Sequence, residues 1–367
     1  MVRVRAKDVS KLYGKNYALR KVSIVAEEGA LVCILGPSGS GKSTLLKIIA
    51  GLLYPDEGEV YFDDENVTHV PVWKRNVGLV FQNIALFPHL SVYENIAFGA
   101  KLRKMPKAEI DARVKELLKL VKLEGYERRK PSELSGGEAQ RVAIARTLMT
   151  NPRVLLFDEP LGHLDAKLRE ELKFEIRRIV KETGKTSLYV THDQSEAFAI
   201  ADYIYVINKG VIEQGGTPYE LYVHPNSPFV AEFIGSMNFL RGRIEEVDSA
   251  TRVGRVSAGG ITINAIVRED LRPGDEVLVG IRPDDIKIYA TAMEVEEHLK
   301  AESRPTNVVV GTLQRKIFMG QALRLEVDIG GEIVKVDAYG EAKYEYAKMD
   351  LGSKVYLAFS RSVLFKS

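Results

Sequence analysis

The first part of the chain alternates two patterns of hydrophobic positions. Short continuous apolar runs, bounded by glycine and polar residues, are typical of buried strands in a parallel sheet. Between them, apolar residues recur every three or four positions, which predicts helices over residues 110–121 and 168–180. The alternation predicts an α/β domain with a mainly parallel sheet. The predicted buried strands are residues 30–35, 77–81, 154–157, 187–191 and 203–207.

The pattern changes after Gly235. Apolar and charged residues alternate along residues 323–329, and Gly330 and Gly331 then supply a hairpin turn before the alternation resumes. We expect a small antiparallel β domain, closed or partly closed because free sheet edges invite aggregation. The predicted domains are an α/β domain at residues 1–235, with a helical subdomain at about residues 85–150, and an all-β domain at residues 236–367.

Composition narrows the class of protein. The 367 residues are 45% hydrophobic and 28% charged, as in ordinary globular proteins, and they exceed the usual size of one core. No apolar run approaches the roughly 18 residues of a membrane-spanning helix, and the N-terminus lacks a secretory signal, so we expect a cytoplasmic protein. The net charge of +2 is too small to indicate binding to nucleic acid or to anionic lipid. Cys33, inside a predicted strand, is expected to be buried.

A phosphate-binding loop follows the first predicted buried strand. Its glycines let the backbone amides and the following helix point at a β-phosphate. Lys42 adds positive charge near the β- and γ-phosphates, and the hydroxyl of Ser43 is the expected ligand of Mg²⁺. A ligand-free glycine-rich turn is the weaker alternative. The segment that fits G-x-x-x-x-G-K-[ST] is Gly36, Pro37, Ser38, Gly39, Ser40, Gly41, Lys42 and Ser43, with Thr44 opening the helix.

Two carboxylates end another predicted strand. Asp158 and Glu159 follow the apolar run 154–157, at the carboxyl edge of the sheet where the phosphate loop also lies. Asp158 is placed to hold Mg²⁺ through its hydration shell, and Glu159 to orient or deprotonate an attacking water. An apolar run followed by Asp-Glu is by itself often only a strand end. The pair therefore depends on the segments described next.

The segment LSGGEAQRVAIARTL, which begins at Leu134, resembles the signature of the ATP-binding-cassette family, and the resemblance covers nearly the whole chain. In that family the signature loop completes the nucleotide site of a second subunit. The resemblance therefore implies that Ser135, Gly136 and Gly137 contact the γ-phosphate of ATP across a dimer. Glycine amides, a serine hydroxyl and a helix dipole suit an anion. A serine-capped helix start is the structural alternative.

Four further residues take expected roles from this resemblance. Tyr13 resembles the aromatic residue that stacks on adenine. Gln82 resembles the catalytic-site glutamine that senses Mg²⁺ and water and moves with the membrane subunits. His192 resembles the switch histidine that contacts the γ-phosphate, although a histidine at a strand end is otherwise more often structural. Asp165 resembles the loop residue that couples the two sites of the dimer.

Two positions depart from the family pattern. Glu138 replaces the glutamine that usually closes the signature, which adds negative charge near a phosphate site. Gly162 and His163 stand where a small polar pair usually precedes Leu-Asp, and His163 is expected to alter dimer contacts or coupling. A catalytically quiet regulatory subunit is therefore an alternative. Because Glu159 and His192 are both present, we expect a hydrolysing enzyme.

Within the family, the chain resembles importer motors with a C-terminal barrel of the oligonucleotide/oligosaccharide-binding type, also called a TOBE domain. The resemblance implies a homodimer, or a dimer with a close paralogue, that holds two ATP molecules between phosphate loop and signature. It also implies two membrane-spanning permease subunits and, indirectly, an extracytoplasmic solute-binding protein, with no nucleic acid partner. The segments that carry it are QNIALFPHLSVYENIAFG, THDQSEAFAIAD, PNSPFVAEFIG and GIRPDDIKIY.

The solute is the least determined property. The run from Leu164 to Arg169 and the length of the tail resemble sugar-importer motors, so sugar is the first expectation. Polyamine, ferric iron, sulfate and phosphonate remain open. Other cassette classes fit less well, because chromosome-maintenance ATPases need long heptad insertions and translation-type proteins carry two cassettes, whereas this chain has one phosphate loop.

Overall fold

The computed structural model describes residues 2–248, 250–267, 270–301 and 306–367. The chain forms two compact units, Met1–Leu221 and Tyr222–Ser367. The domain boundary expected between residues 235 and 236 stays a prediction, and residues 222–235 group here with the second unit. Within the described ranges, no helix combines the length and the apolar character that a membrane span requires.

The first unit is built from strands and helices in alternation. Its strands are β1 (Val4–Tyr13), β2 (Asn16–Ala26), β3 (Leu31–Leu35), β4 (Glu57–Phe62), β5 (Glu65–Asn66), β6 (Val77–Val80), β7 (Val154–Asp158), β8 (Thr186–Thr191), β9 (Tyr203–Asn208) and β10 (Val211–Gly216). Its helices are α1 (Lys42–Ala50), α2 (Val72–Arg75), α3 (Val92–Leu102), α4 (Lys107–Leu120), α5 (Gly136–Leu148), α6 (Ala166–Thr183) and α7 (Gln194–Ile200), and α8 (Pro218–Val223) follows.

The predicted parallel sheet is confirmed. Its strand order is β10-β9-β3-β8-β7-β6, with parallel pairing from β9 to β6 and β10 antiparallel on β9. Each of the five predicted buried strands is present, with one end moved by a single residue. Cys33 lies on the central strand β3 with no exposed surface, and burial raises the pKa of its thiol. The continuous apolar runs are explained by this burial on both faces.

A second, antiparallel sheet in the first unit was not predicted. Its order is β2-β1-β4-β5, and β1 pairs on both sides, with β2 and with β4. One face is apolar, and Val4, Ala6 and Val9 share a core with α1 and the parallel sheet. The β1/β2 ladder contains several register shifts, which interrupt the alternation of apolar and polar residues.

A buried arginine anchors α1 at its C-terminal end. The side chain of Arg75 is 1% exposed, and its guanidinium donates hydrogen bonds to the carbonyls of Val70, Thr68, Ile48 and Ile49 at 2.6–2.9 Å. Burial lowers the pKa of Arg75 to about 10. The last carbonyls of a helix lack their usual amide partners. The amide of Gly51 donates to the carbonyl of Ile48 at 3.1 Å, and Arg75 donates to the carbonyls of both Ile48 and Ile49, so it holds the helix that follows the phosphate loop.

The two predicted amphipathic helices correspond to α4 and α6. On α6 the apolar residues Leu172, Ile176, Ile179 and Val180 are buried, while the opposite face is charged. The predicted helical subdomain at about residues 85–150 contains α3, α4 and α5. Among these, α3 begins with a capping box between Ser91 and Glu94.

The strands of the second unit are β11 (Asn238–Val247), β12 (Val253–Ala258), β13 (Ile261–Ile266), β14 (Glu276–Ile281), β15 (Lys287–Tyr289), β16 (Asn307–Phe318), β17 (Ala322–Asp328), β18 (Ile333–Tyr339), β19 (Lys354–Phe359) and β20 (Val363–Lys366), and its helices are α9 (Pro228–Ile234), α10 (Ala292–Ala301) and α11 (Ala342–Tyr346). The strands form two five-stranded antiparallel sheets with the orders β13-β12-β11-β14-β20 and β15-β19-β16-β17-β18, which share one apolar core. The predicted hairpin is confirmed: β17 pairs with β18, and Asp328 accepts hydrogen bonds from the amides of Gly330 and Gly331 in the turn. The pattern did not predict α10 and α11.

Candidate active site

The phosphate loop joins β3 to α1, and its glycines are required by close approaches. A Cβ at Gly36 would lie 2.2 Å from the carbonyl oxygen of Ile207. A Cβ at Gly41 would lie 2.3 Å from the carbonyl oxygen of Ala18, and Gly41 has φ of +103°. Both contacts are shorter than any side chain tolerates, so the loop is wedged between β9 and β2. Gly39, with φ of +77°, makes the turn at the exposed tip.

Lys42 and Ser40 place polar groups inside the loop. The Nζ of Lys42 donates to the carbonyls of Gly36 at 2.9 Å and Pro37 at 2.8 Å, and the residue is 4% exposed. Burial lowers the pKa of Lys42, and the nearby Glu159 and Asp158 counteract that shift. The Oγ of Ser40 is buried without a hydrogen-bond partner within the described part of the chain.

The loop also leads into a helix start that carries no side-chain cap. Gly41 is the N-cap residue of α1, and no side chain accepts from the first amides of the helix. Ser38 is exposed and Thr44 is half-buried in the first turn. Unpaired amides, a buried ammonium group and an unpaired hydroxyl converge on one cradle, so the residues present fit a phosphate chain.

The predicted Mg²⁺ residues lie beside this cradle. The Oγ of Ser43 donates to Oδ1 of Asp158 at 2.7 Å, across the gap between α1 and β7. In the described residues, no group of three or more His, Cys, Asp and Glu side chains could hold a metal. One hydroxyl and one carboxylate suit Mg²⁺, which keeps several waters and binds mainly through substrate phosphates. The donor set therefore fits Mg²⁺ that arrives with a nucleotide.

Glu159 and His192 form a pair at the neighbouring strand ends. The Oε2 of Glu159 lies 3.0 Å from Nδ1 of His192, which follows β8 and has a side chain that is 54% exposed. Glu159 has φ of +45°, an unfavourable region for glutamate, and its amide donates to the carbonyl of Val190 at 3.0 Å. Such strain is concentrated at functional sites. Here it aims the carboxylate away from the strand and toward His192.

Gln82 and Gly162 complete this part of the site. A Cβ at Gly162 would lie 3.4 Å from Nε2 of Gln82 and 3.9 Å from Oε2 of Glu159. Gln82 therefore lies near the same carboxylate, and the absence of a side chain at Gly162 leaves space between them. Gln82 is itself exposed. The structure thus brings Gln82, Glu159 and His192 together, and their catalytic role stays a prediction.

Two residues outside the predicted set anchor the segment after Gln82. Arg146, on α5, donates to the carbonyl of Ala85 at 2.8 Å. Asn95, on α3 and fully buried, accepts from the amide of Phe87 at 2.8 Å and donates to its carbonyl at 3.1 Å. The segment is therefore tied to the helical subdomain. No local pattern indicated this, because an arginine on a helix is usually exposed.

The signature residues form a capped helix start. The Oγ of Ser135 accepts from the amide of Glu138 at 3.3 Å, and Oε2 of Glu138 accepts from the amide of Ser135 at 2.7 Å. Tyr126 donates its hydroxyl to the other carboxylate oxygen at 3.0 Å. These bonds, first the backbone one from Ser135, lower the pKa of Glu138. The departure at Glu138 thus has a local explanation, because glutamate and glutamine both serve in a capping box.

The signature glycines pack against the start of α6. A Cβ at Gly136 would lie 2.9 Å from Cδ2 of Leu164, and one at Gly137 would lie 2.7 Å from Cδ1 of Leu168. Asp165 caps α6, because its Oδ1 accepts from the amide of Leu168 at 3.0 Å. The hydrogen bonds described for the signature do not reach the phosphate loop of the same chain. The signature and Asp165 therefore lie together at the start of α6.

Tyr13 lies at the end of β1, opposite Asn16, and is 55% exposed. The hairpin that carries it touches the phosphate loop through Ala18, beside Gly41. This places an exposed ring on the hairpin next to the loop, and stacking on adenine stays a prediction. His163 is exposed as well.

These features define a class of protein. A phosphate loop on a parallel sheet, with a Ser43–Asp158 pair and a Glu159–His192 pair at the neighbouring strand ends, is the arrangement of a nucleotide-hydrolysing ATPase. Residues 19–162 match the family model described as ABC transporter, and residues 279–365 match the TOBE domain.

Relatives give the family directly. The chain is 46% identical over 311 residues to the sulfate/thiosulfate import ATP-binding protein CysA of Thermosynechococcus vestitus, covering 82% of this chain and 91% of that protein. It is 41% identical over 362 residues to the spermidine/putrescine import ATP-binding protein PotA of Rubrobacter xylanophilus, covering 98% and 92%. A dimeric structure of the ATP-binding cassette MJ0796 bound to ADP and Pi is 38% identical, with a TM-score of 0.51, and covers 58% of this chain and 98% of that one.

The chain therefore belongs to the ATP-binding-cassette (ABC) transporter family, as the sequence resemblance predicted, and it is an import-type ATPase that uses ATP with Mg²⁺. The predicted C-terminal TOBE domain is confirmed. The expectation of sugar as the solute is not supported, because the relatives just described are named for sulfate/thiosulfate and spermidine/putrescine.

Proposed function

We propose that this chain drives an importer for a small charged solute, with a polyamine as the first candidate. The relative named for spermidine/putrescine import covers 98% of this chain, so its likeness includes the tail domain. Sulfate or thiosulfate is the second candidate, because the relative named for it has the higher identity, 46%, over a shorter part of the chain.

The chemistry follows from the pairs around the phosphate loop. Lys42, Ser40 and the first amides of α1 would bind the phosphates of ATP, and Tyr13 would stack on the adenine. Mg²⁺, held by Ser43 and Asp158 with Gln82 nearby, would neutralise charge between the β- and γ-phosphates. Glu159 would orient a water at the γ-phosphate and accept its proton.

The Glu159–His192 contact constrains how His192 acts. When Glu159 is ionised, Nδ1 of His192 donates to it at 3.0 Å, so a neutral ring presents a lone pair at Nε2. A lone pair repels a phosphate oxygen. His192 can therefore donate to the γ-phosphate either as an imidazolium, which keeps its Nδ1–H bond to Glu159, or after that bond is exchanged, which frees Glu159 for water.

A head-to-tail dimer would complete each site. Ser135 and Gly136 are exposed at the start of α5, and Gly136 packs against Leu164, the residue before Asp165. The MJ0796 cassette is itself described as dimeric with ADP and Pi. We infer that Ser135, Gly136 and Gly137 of one subunit contact the γ-phosphate held by the other, and that Asp165 lies at the contact.

The importer would place this chain on the cytoplasmic face of the membrane. Two membrane-spanning permease subunits would bind the surface around Gln82 to Phe98, and a solute-binding protein would act on the other side. The TOBE domain would extend the dimer and receive any regulator. A quiet regulatory subunit is disfavoured, because Glu159 and His192 are paired beside the phosphate loop.

Uptake by cells that carry the gene tests the solute. Deletion should abolish uptake of labelled spermidine, and wild-type protein should restore it. Glu159→Gln should not restore it, whereas Glu182→Gln should, because Glu182 lies on α6 and pairs with Arg178 away from the site. Loss of sulfate uptake with spermidine uptake intact would favour the second candidate, and loss of maltose uptake alone would contradict both.

A further inference from the structure

One guanidinium contacts two loops of the candidate active site. Arg169, in the second turn of α6, donates from Nη2 to the carbonyl of Leu164 at 3.0 Å. Its Nη1 lies 3.5 Å from Oδ2 of Asp193, and its Nε lies 3.9 Å from Oε1 of Glu196. Asp193 directly follows His192. Arg169 therefore joins the loop of residues 162–165 to the turn that carries His192.

The turn around His192 is held from its other side. Asp193 caps α7 by accepting from the amide of Glu196 at 3.3 Å, and its own amide donates to Oγ1 of Thr191 at 2.9 Å. Glu196 is 3% exposed and accepts from Thr191 at 2.8 Å and Tyr189 at 2.9 Å. The backbone on both sides of His192 is thus fixed by one group of hydrogen bonds. Arg169 contacts the two carboxylates of that group, those of Asp193 and Glu196.

The loop of residues 162–165 has an exposed part and an anchored part. Leu164 is buried against Gly136, and Asp165 caps α6, whereas Gly162 and His163 are exposed. The carbonyl of Leu164, between the exposed and anchored parts, is the atom that Arg169 binds. A displacement of this loop would therefore move the acceptor of Arg169 directly.

The contacts of Arg169 with the two carboxylates leave room for such a movement. Distances of 3.5 and 3.9 Å are ion-pair distances, longer than hydrogen bonds. The Nε of Arg169 is buried and has no hydrogen-bond partner within the described ranges. The guanidinium can approach Asp193 or Glu196 and gain a hydrogen bond there.

We propose that Arg169 is a positioning residue that transmits the position of loop 162–165, the loop expected to face the partner subunit, to His192. The inference rests on the proposed function, in which loop 162–165 contacts the partner subunit and His192 contacts the γ-phosphate. Arg169 would link these two contacts. The contacts described for Arg169 include no residue of the phosphate loop, so its loss should slow hydrolysis without weakening ATP binding.

Steady-state ATP hydrolysis by the purified full chain tests this role. Arg169→Met should lower kcat by at least about tenfold, since misplacement by about 1 Å costs on the order of a hundredfold, and should leave KM for ATP within about twofold. Arg169→Lys should recover part of the loss. Arg178→Met is the matched control, because Arg178 lies on the same helix and binds the carbonyl of Leu120 and surface carboxylates, but neither loop.

A double-mutant cycle tests the link itself. Asp193→Asn keeps the helix cap, because asparagine caps as well as aspartate, but removes the charge that faces Arg169. If Arg169 acts through this turn, the double variant should have about the kcat of Arg169→Met alone, and additive losses would refute the link. If Arg169→Met lowers kcat no more than Arg178→Met does, or if its loss of kcat is accompanied by a lower melting temperature, the role of Arg169 is only structural.

Amide hydrogen exchange separates this inference from the proposed function. Without turnover, Arg169→Met should speed exchange in residues 162–165 and also in residues 191–196, and Arg178→Met should change neither. Unchanged exchange at 191–196 would overturn the inference even if the wild-type protein hydrolyses ATP. A wild-type protein that binds ATP but never hydrolyses it would refute the proposed function, and the exchange result would still decide the role of Arg169.

Discussion

Replacing Glu159 by glutamine isolates the proton-accepting role of its carboxylate. Glutamine has the same shape, and its amide oxygen can still accept from Nδ1 of His192 across the 3.0 Å contact, so the geometry should be kept. Only the ability to accept a proton is lost. General-base catalysis contributes about 10²–10⁴-fold, so kcat should fall by that factor, which corresponds to about 3–5 kcal/mol in the barrier at about 1.4 kcal/mol per tenfold.

Two measurements on the same protein decide the matter. Phosphate release should fall as stated, and ATP affinity from equilibrium binding should stay within about twofold of wild type, because Lys42 and the loop amides are untouched. Glu182→Gln on the surface of α6 is the control for loss of a carboxylate. A Glu159→Gln protein that keeps more than about a tenth of the wild-type kcat would mean that another group accepts the proton. Equal losses of affinity and rate would assign Glu159 to nucleotide binding.

Three further changes test separate features. Arg75→Met should lower the free energy of unfolding by about 3–5 kcal/mol, measured by denaturant titration, since it leaves buried carbonyls unpaired; a change below about 1 kcal/mol would contradict the anchoring of α1. Ser135→Asp preserves the cap of α5 but brings negative charge to the partner's phosphate, so ATP-dependent dimerisation by light scattering, in a Glu159→Gln background, should be lost while the melting temperature holds. Glu138→Gln should leave the free energy of unfolding at pH 7 unchanged. The pKa of Glu138 is depressed in the folded protein, so the stability that its carboxylate contributes is present above its unfolded pKa and is lost as pH falls through the folded pKa. Below about pH 4, the wild type should therefore lose this contribution to the free energy of unfolding, and the Glu138→Gln variant should not.

The sequence predicted features that depend on local pattern. Continuous apolar runs marked the parallel strands, because a strand buried on both faces leaves no polar positions. The phosphate loop was recognisable because its glycines, lysine and serine stand at fixed spacing in one short segment, between a predicted strand and a predicted helix. The Asp158-Glu159 pair was recognisable because it ends such a strand.

Features that depend on distant contacts were not predicted. The antiparallel sheet of β1, β2 and β4 mixes polar and apolar positions and contains register shifts, so no clean period is present. From the sequence alone, Arg75 is expected on the surface, because the carbonyls that bind its guanidinium belong to other segments of the fold. Arg169 stood in a run noted only for its likeness to sugar-importer motors, and its carboxylates lie 24 and 27 residues away along the chain.

The burial of Cys33 has a practical consequence. It is the one cysteine in the sequence, it has no exposed surface, and burial raises the pKa of its thiol, so it should resist alkylating reagents in the folded protein. A second cysteine introduced at an exposed position such as Lys47 would then be labelled selectively, without first removing a native thiol. In a symmetric dimer, one such probe per chain yields one inter-probe distance, and its change on adding ATP would measure closure of the motor in solution.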